Sequence, residues 1–325
     1  MATDNRPECH HAARCHCSVT KAKTFIGSLP ANVVKLVSAA AEITLDPRGR
    51  PDFLHAVLCQ AALPRSRQEG LSFERTVGGL AMRCEAGKAW TGTAWEQQPL
   101  PFGVRPRLAL IHICSEAVRK QSREIEVGHS VRDFLLQLGM DTSGRGYSQF
   151  QGQMSALAAC RLQFGLMDAT GGRVVNVDAK PISRFDAWLT DDNGQRTLWP
   201  GKLTLTGEFY DSLLRQAVPL DHRALAALAS SALSLDLYTW LAYRLCTVRK
   251  AIGERVSWAS LEQQFGGEYG NRKDFKRELT KRLVEVKTVY PEARIELVEG
   301  GLKLLPSPPP IRRTTVAVGA IPSGE

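Results

Sequence analysis

The alternation of hydrophobic and polar positions predicts helices and short strands through most of the chain. Residues 31–43 repeat their apolar positions with a helical period, which turns Val34, Val37 and Ala41 inward. Residues 52–62 have the same period and follow a proline, so Asp52 is predicted to cap a second helix. Residues 73–96 are short alternating runs separated by glycines, a pattern that predicts two or three short strands.

Two longer stretches, residues 105–182 and 233–306, share one order of elements: helix, short strand, helix, helix and hairpin. Each hairpin is predicted to turn at a glycine pair, namely Gly171-Gly172 and Gly300-Gly301. This order is that of the winged helix-turn-helix, whose second helix enters the major groove of DNA. The sequence therefore predicts an α+β fold with two tandem winged helix-turn-helix domains.

A pair of successive helices lies at the centre of each stretch. In the first stretch, Ser130 caps a helix at 130–139 that precedes a helix at 146–161. In the second, a serine-capped helix at 257–266 precedes a helix at 271–287. The second member of each pair is therefore the candidate DNA-reading helix of its domain.

The composition of the chain divides it into four predicted segments. The ends are polar or proline-rich and lack periodicity, so we expect them to be disordered. The segments are a Cys/His-containing tail at 1–28, an N-terminal winged-helix domain at 29–205 for assembly, dimerisation and auxiliary DNA contacts, a C-terminal winged-helix domain at 206–306 as the main DNA reader, and a Pro-rich tail at 307–325.

The helix at 271–287 combines an apolar stripe with a basic surface. Its buried stripe is predicted to consist of Phe275, Leu279, Leu283 and Val286. The formal net charge of the chain is +9, which favours an acidic polymer as partner, although a basic helix face can also be merely solvated. The candidate DNA-binding residues of this helix are Arg272, Lys273, Lys276, Arg277, Thr280 and Lys281. Arg282 is expected along the edge of the core.

The corresponding helix of the first stretch has a different outward face. With Phe150, Met154 and Leu157 inward, its outward stripe is small and uncharged, and it consists of Ser148, Gly152, Ser155 and Ala159. Small residues permit close approach of another backbone, so this stripe is a candidate dimerisation surface. The alternative is a stripe exposed only to solvent. Arg145 and Arg173 are candidates for additional phosphate contacts.

Several kinds of chemistry are excluded or disfavoured by the motifs. The chain contains no GxxxxGK[ST], HExxH or GxSxG pattern, so we expect a binding protein that is not an enzyme and needs no cofactor. The segment "CHHAARCHC" at 9–17 lacks a second cluster of ligands, which favours a tail over a zinc site. No apolar run is long enough to span a membrane and no signal peptide is evident, so a cytoplasmic location is expected.

Aromatic residues give no sequence signal for stacking on bases. Tyr238 and Trp240 lie on an apolar helix and are predicted to be core residues. An RNA-binding or ribosome-associated protein, which would need an aromatic stacking platform, is therefore disfavoured.

Five blocks of sequence, in order, resemble the RepA-type initiators of theta-replicating plasmids, of the broad-host-range IncW-like group. They are "PFGVRPRLALIHICSEAVRKQSREIEVGHSVRDFLLQLG", "SALAACRLQFG", "LWPGKLTLTGEFYDSLL", "PLDHRALAALASSALSLDLYTWLAYRL" and "VSWASLEQQFGGEYGNRKDFKRELTKRLVEVKTVYPEARIEL". The resemblance covers roughly residues 100 to 298. It implies two winged-helix domains that bind directly repeated sites (iterons) at a plasmid origin.

The resemblance also implies partners and regulation. Monomers of such initiators open the origin, and dimers repress the initiator's own promoter or pair origins, so copy number follows a monomer–dimer equilibrium. The host replication initiator and the replicative helicase are the implied recruits. In this family the C-terminal domain makes the dominant repeat contacts and the N-terminal domain contributes dimerisation. The alternative is a winged-helix transcriptional repressor without a replication role; iterons beside an A·T-rich stretch favour the initiator, and a lone palindrome favours the repressor.

Overall fold

The computed structural model of the chain describes residues 30–126, 135–136, 143–167, 174–178, 181–192 and 195–311. Helices and strands are mixed along the chain, so the predicted α+β class is confirmed. Most of the predicted helix at 130–139, including Ser130, lies outside the described residues. The same is true of the Gly171-Gly172 turn, of Arg173 and of residues 1–29 and 312–325.

The elements of the described chain agree with most of the periodic segments. The first half contains α1 (Ala31–Leu45), β1 (Pro51–His55), α2 (Ala56–Gln60), β2 (Ser72–Val77), β3 (Leu80–Glu85), β4 (Lys88–Trp90), β5 (Trp95–Gln97), α3 (Val104–Lys120), β6 (Glu124–Glu126), α4 (Gly144–Ala159), β7 (Arg161–Met167), β8 (Val174–Asp178), β9 (Ile182–Asp192) and β10 (Gln195–Leu205). The second half contains α5 (Gly207–Gln216), β11 (Ala217–Asp221), α6 (His222–Leu228), α7 (Ala232–Thr247), β12 (Glu254–Ser257), α8 (Trp258–Phe265), α9 (Arg272–Val289), β13 (Ile295–Val298) and β14 (Gly301–Leu304).

The sheets are small and antiparallel. In the first half, β7 and β8 form the predicted hairpin, and β3 and β2 extend it to a four-stranded sheet of order β2-β3-β7-β8. Strands β6, β10 and β9 form a second sheet, and β4 pairs only with β5 among the described strands. The hairpin of the first stretch is therefore part of a larger sheet than its sequence indicates.

The second half has the predicted order of helix, strand, helix, helix and hairpin. Helix α7 is followed by β12, α8, α9 and the β13–β14 hairpin, and β14 lies between β12 and β13 in one sheet. Val298 pairs with Gly301, so the two-residue turn is Glu299-Gly300, one position earlier than predicted. Gly300 has φ +87°, a conformation that glycine adopts without strain.

The prediction of a helix over residues 52–62 is wrong in its first half. Residues 51–55 form β1, and α2 begins only at Ala56, where Nδ1 of His55 accepts the N–H of Val57 at 3.1 Å. Asp52 is buried and caps no helix; its carboxylate pairs with Arg119 and with Nδ1 of His222, the latter at 2.7 Å. Pairing with β11 stabilises an extended conformation that a local helical period does not reveal.

The predicted inward face of α1 is also wrong. Leu36, Ala39 and Ile43 are buried, whereas Val37 is 50% exposed, Ala41 is exposed and Val34 is half-buried. The stripe at i, i+3 and i+7 packs against α6 and α9 of the second half. Helix α1 has two similar apolar stripes. The tertiary fold places α6 and α9 beside one of them, and that stripe is therefore the buried one.

Contacts between the halves cross the boundary predicted at residues 205 and 206. Strand β1 belongs to the first half and pairs along its whole length with β11 in the second. The packed body also extends past residue 306: Tyr290 donates its hydroxyl proton to the carbonyl of Pro308 at 2.5 Å, and Ile311 is 2% exposed. Residues 307–311 are therefore not part of a tail.

A buried ion pair fastens α3 to α7. Nε and Nη2 of Arg107 donate to the two carboxylate oxygens of Asp236 at 2.6 and 2.9 Å. The remaining guanidinium donors bind the carbonyls of Leu63, Pro64 and Gly103 at 2.6 to 2.9 Å. Both charged side chains are almost completely buried, so this ion pair links the two halves of the chain within the core.

Candidate nucleic-acid interface

Two capped helices form a corner in the second half of the chain. The hydroxyl of Ser257 accepts the N–H of Ser260 at 3.1 Å and begins α8, as the sequence predicts. The side chain of Asn271 accepts the N–H of Asp274 at 2.9 Å and begins α9. The connection at 266–270 contains three glycines, which lets the chain reverse within a few residues. Both helix starts are therefore satisfied by side chains within the corner.

Gly266, at the end of α8, has no space for a side chain. A Cβ there would lie 2.5 Å from the carbonyl oxygen of Glu262, whereas a Cβ at Gly267 would meet nothing within 4 Å. We expect Gly266→Ala to lower the free energy of unfolding by about 1–3 kcal/mol, because the helix end must shift. Gly267→Ala in the same turn is the matched control. Urea unfolding of both variants measures the difference, and equal losses would contradict the steric explanation.

A segment of the first half holds the corner in place. The backbone N–H of Arg65 donates to a carboxylate oxygen of Glu268 at 2.8 Å, and its guanidinium lies 5.9 Å from the ring centroid of Tyr269. The same guanidinium donates to the carbonyl of Phe265. The amide of Gln264 donates to the carbonyl of Gln60 at 3.0 Å. The geometry of the corner thus depends on residues about 200 positions earlier in the chain.

Helix α9 buries the stripe that the sequence predicts. Phe275, Leu279, Leu283 and Val286 are all 6% exposed or less. At 100° per residue, the opposite face is centred on Arg277, with Lys273, Lys281 and Val284 around it. Val284 is 62% exposed, and both lysines and the arginine are exposed. We call Lys273, Arg277, Lys281 and Val284 the outer face of α9.

The cations of the outer face differ in how they are paired. Lys273 and Lys281 make no ion pair within the described part of the chain. Arg277 lies 2.8 Å from Asp274 but keeps 74% of its side chain exposed, so this pair contributes little and is exchangeable. Thr280 is half-buried beside them. Three cations on one helix face are therefore accessible to an anion.

The two remaining candidate cations of α9 contact α8. Nε of Arg272 donates to Glu262 at 2.6 Å, and the ammonium group of Lys276 lies 5.1 Å from the ring centroid of Trp258. The backbone N–H of Trp258 donates to the carbonyl of Gly300 at 2.9 Å. The start of α8, the first turns of α9 and the tip of the β13–β14 hairpin are thus adjacent.

Arg282 lies along the edge of the core, as the sequence predicts. It lies 2.6 Å from Glu278 and 2.9 Å from Glu285, and 21% of its side chain is exposed. Partial burial by itself lowers the pKa of Arg282, but hydrogen bonds to Glu285 and Glu278 outweigh it and raise the pKa. Glu285 also accepts the hydroxyl proton of Ser234 at 2.8 Å, which ties α9 to α7.

The β13–β14 hairpin has an acidic tip. Glu299 is exposed in its turn, and Lys303 is paired with Glu296 at 3.4 Å. Exposed cations lie instead near the base of the sheet, where sequence reasoning did not place any. They are Arg249, Lys250 and Arg255. The run "VRK" after α7 is the signal that could have identified the first two.

The small stripe on α4 is only partly accessible. Phe150, Met154 and Leu157 are buried as predicted. Ser148 and Gly152 are exposed, whereas Ser155 and Ala159 are half-buried. A Cβ at Gly87 would lie 1.9 Å from the carbonyl oxygen of Ala159, so the base of the β4–β5 hairpin covers the last turn of α4.

For two further predicted residues, the structure describes no side chain. Arg145 lies in the first turn of α4, but the structure does not describe its side chain, and Arg173 lies outside the described residues. The segment at 9–17 lies outside them as well.

Within the described ranges, no group of three or more His, Cys, Asp or Glu side chains has the arrangement of a metal site. None of the helices described is both long and apolar enough to cross a membrane.

Comparisons with known proteins give a family match and similarities to solved structures. Two crystal structures of domains 2 and 3 of RctB are similar to this chain, with TM-scores of 0.48 and 0.47 and identities of 11% and 12%. Each alignment covers 77% of this chain, and 98% and 96% of the respective RctB chains. No curated protein matches the chain.

The family match covers the centre of the chain. Residues 100–260 match the family described as "Plasmid encoded RepA protein". The match extends from just before α3 into α8, so α9 and its outer face lie beyond it. The predicted resemblance to RepA-type plasmid replication initiators is therefore confirmed.

Proposed function

We propose that this protein initiates plasmid replication by binding repeated double-stranded sites (iterons) at the origin through the outer face of α9. The observation that carries the proposal is the set of accessible cations at a two-helix corner beside a hairpin, an arrangement that corresponds to a winged helix-turn-helix. The family match to plasmid-encoded RepA proteins supports the replication role. Binding of this kind needs no cofactor and no covalent step.

Each cation of the outer face has a distinct proposed role. Lys273 and Lys281 are free point charges and neutralise phosphates, with release of counterions from the duplex. Arg277 exchanges its weak pair with Asp274 for a base edge, because a guanidinium can bind O6 and N7 of guanine together. Val284 offers an exposed apolar group of the kind that contacts the thymine methyl. The face thus combines affinity with base recognition.

The neighbouring elements have supporting roles in the same proposal. The pair of Arg272 with Glu262 and the contact of Lys276 with Trp258 hold α9 at a fixed angle to α8. The acidic tip at Glu299 repels phosphates, so the β13–β14 hairpin limits how far the duplex extends on that side. Phosphate contacts on the other side come from Arg249 and Lys250.

Assembly and regulation form the second part of the proposal. The exposed part of the α4 stripe, at Ser148 and Gly152, is a surface where a second copy can approach closely. We propose that dimers formed there repress the protein's own promoter, while monomers open the origin and recruit the host initiator and the replicative helicase. Two winged-helix domains, divided near residues 205 and 206 and joined by the β1–β11 pair, are proposed as the units of this arrangement.

A footprint on the plasmid origin tests the proposal. We expect protection of directly repeated sites next to an A·T-rich stretch, with reactive unpaired bases in that stretch after protein addition. Protection of a single palindrome at a promoter, without unpaired bases, would instead favour the transcriptional repressor. Absence of any sequence-specific protection at low salt would contradict both functions.

A further inference from the structure

Two tryptophans stand exposed on one face of the β4–β5 hairpin. Trp90 and Trp95 are directly opposite each other in the strand register. Their ring centroids are 5.7 Å apart with an interplanar angle of 55°, and the residues are 50% and 65% exposed. Two exposed aromatic residues side by side form a contiguous apolar patch, and such patches mark interaction sites, whereas singly scattered apolar residues do not. This pair is the aromatic platform that the sequence did not reveal.

The positively and negatively charged side chains of the hairpin strands lie on opposite faces. Side chains alternate along a strand, so Lys88, which pairs with Gln97, lies on the same face as the two tryptophans. Ala89 and Glu96 lie opposite each other on the reverse face. The platform therefore has two aromatic rings with a cation and an amide beside them, and the carboxylate points away.

The hairpin is held rigidly enough to present this platform. The backbone and hydroxyl of Thr91 both donate to the carbonyl of Ala94, at 3.0 and 3.1 Å. Gly92 has φ +93° in the turn. At the base, the backbone N–H of Gln98 and the side-chain amide of Gln97 both donate to the carbonyl of Gly87, each at 2.9 Å.

A structural role for the tryptophans accounts for only part of this arrangement. A cross-strand aromatic pair stabilises a hairpin by roughly 0.2–1 kcal/mol, which explains why the rings meet. It does not require that half or more of each residue remain accessible, nor that a cation share the face. The exposed ring surfaces and Lys88 are what a ligand can use.

We propose that Trp90, Trp95 and Lys88 form a binding site for single-stranded DNA. Bases released from a duplex stack on the indole rings, and the ammonium group of Lys88 contacts the phosphate between them. Charge favours nucleic acid over a protein surface, because the cation shares the aromatic face and Glu96 lies on the reverse. The inference rests on the proposed initiator function, in which opening of the origin supplies the single strand.

Titration with a fluorescent oligo(dT) of about 15 nucleotides tests the site. We expect Trp90→Ala/Trp95→Ala to weaken binding at least about thirtyfold, since stacking contributes about 1–3 kcal/mol per base. Trp90→Phe/Trp95→Phe retains stacking and is expected to lose less than about fivefold. Leu297→Ala, at an exposed residue of the β13–β14 hairpin, is the control for loss of an exposed apolar side chain and leaves binding unchanged.

Parallel measurements separate the proposal from its alternatives. The alanine variant is expected to bind an origin duplex as tightly as the wild-type protein does. If the wild-type protein itself does not bind the duplex, that result contradicts the proposed function but not the single-strand site. Oligo(rU) is expected to bind no more tightly than oligo(dT), and a tenfold preference for it would overturn the assignment to DNA. Unchanged oligo(dT) binding by the alanine variant, or loss of self-association in sedimentation instead, would overturn the single-strand site.

Discussion

Reversal of both free lysines on the outer face of α9, Lys273→Glu/Lys281→Glu, is expected to weaken binding of an iteron duplex about a thousandfold at about 0.15 M salt. The two substitutions change the charge facing the DNA by about four units. Each lost phosphate contact alters the slope of log K against log salt by about 0.9, so loss of the two lysine contacts lowers its magnitude by about 1.8. Fluorescence anisotropy titrations over a range of salt concentrations measure both quantities. The free energy of unfolding is expected to stay within about 0.5 kcal/mol of wild type, because both side chains are exposed.

Lys287→Glu is the matched control for this double reversal. Lys287 lies in the last turn of the same helix, where its ammonium group is 3.5 Å from the carbonyl oxygen of Ile295. We expect it to weaken duplex binding less than about fivefold, because it lies away from the corner. If a double reversal of other exposed lysines, such as Lys35 and Lys202, weakened binding equally, net charge alone would explain the effect and the outer face would not be the interface.

The sequence predicted the helix of this interface but not the state of its cations. The spacing of Phe275, Leu279 and Leu283 fixes the buried stripe, because a helical period depends only on local sequence. Which cations are accessible depends on the tertiary partners: Arg272 pairs with Glu262, which lies on another helix, whereas Lys273 next to it makes no ion pair in the described chain. Pairing across a corner has no signature in a single sequence.

The errors in the fold have the same origin. Residues 52–55 are predicted to be helical because their apolar spacing is ambiguous over so short a stretch, and their partner strand begins at Ala217. The platform of Trp90 and Trp95 was missed although "KAWTGTAWEQ" contains a glycine turn between alternating residues. Its exposure depends on which elements leave that hairpin uncovered, and this is decided by the packing of the whole chain.

The largest expected change in stability comes from the ion pair between the halves. Asp236→Ala is expected to lower the free energy of unfolding by about 3–5 kcal/mol, because it leaves the guanidinium of Arg107 buried without a counter-charge. Urea unfolding followed by circular dichroism measures the loss. Arg83→Ala is the matched control, since the pairs of Arg83 with Glu74 and Glu85 are exposed and their loss costs less than about 1 kcal/mol.

A second variant distinguishes loss of the pair from loss of the buried charge. Arg107→Met/Asp236→Leu removes both charges and is expected to recover most of the stability, because the desolvation of the unpaired cation is avoided. A loss below about 1 kcal/mol for Asp236→Ala would mean that water reaches Arg107 and that the pair does not fasten the halves. The guanidinium of Arg107 also binds the carbonyls of Leu63 and Pro64, next to Arg65 at the α8–α9 corner. Asp236→Ala is therefore expected to weaken duplex binding as well, although Asp236 itself is buried away from solvent.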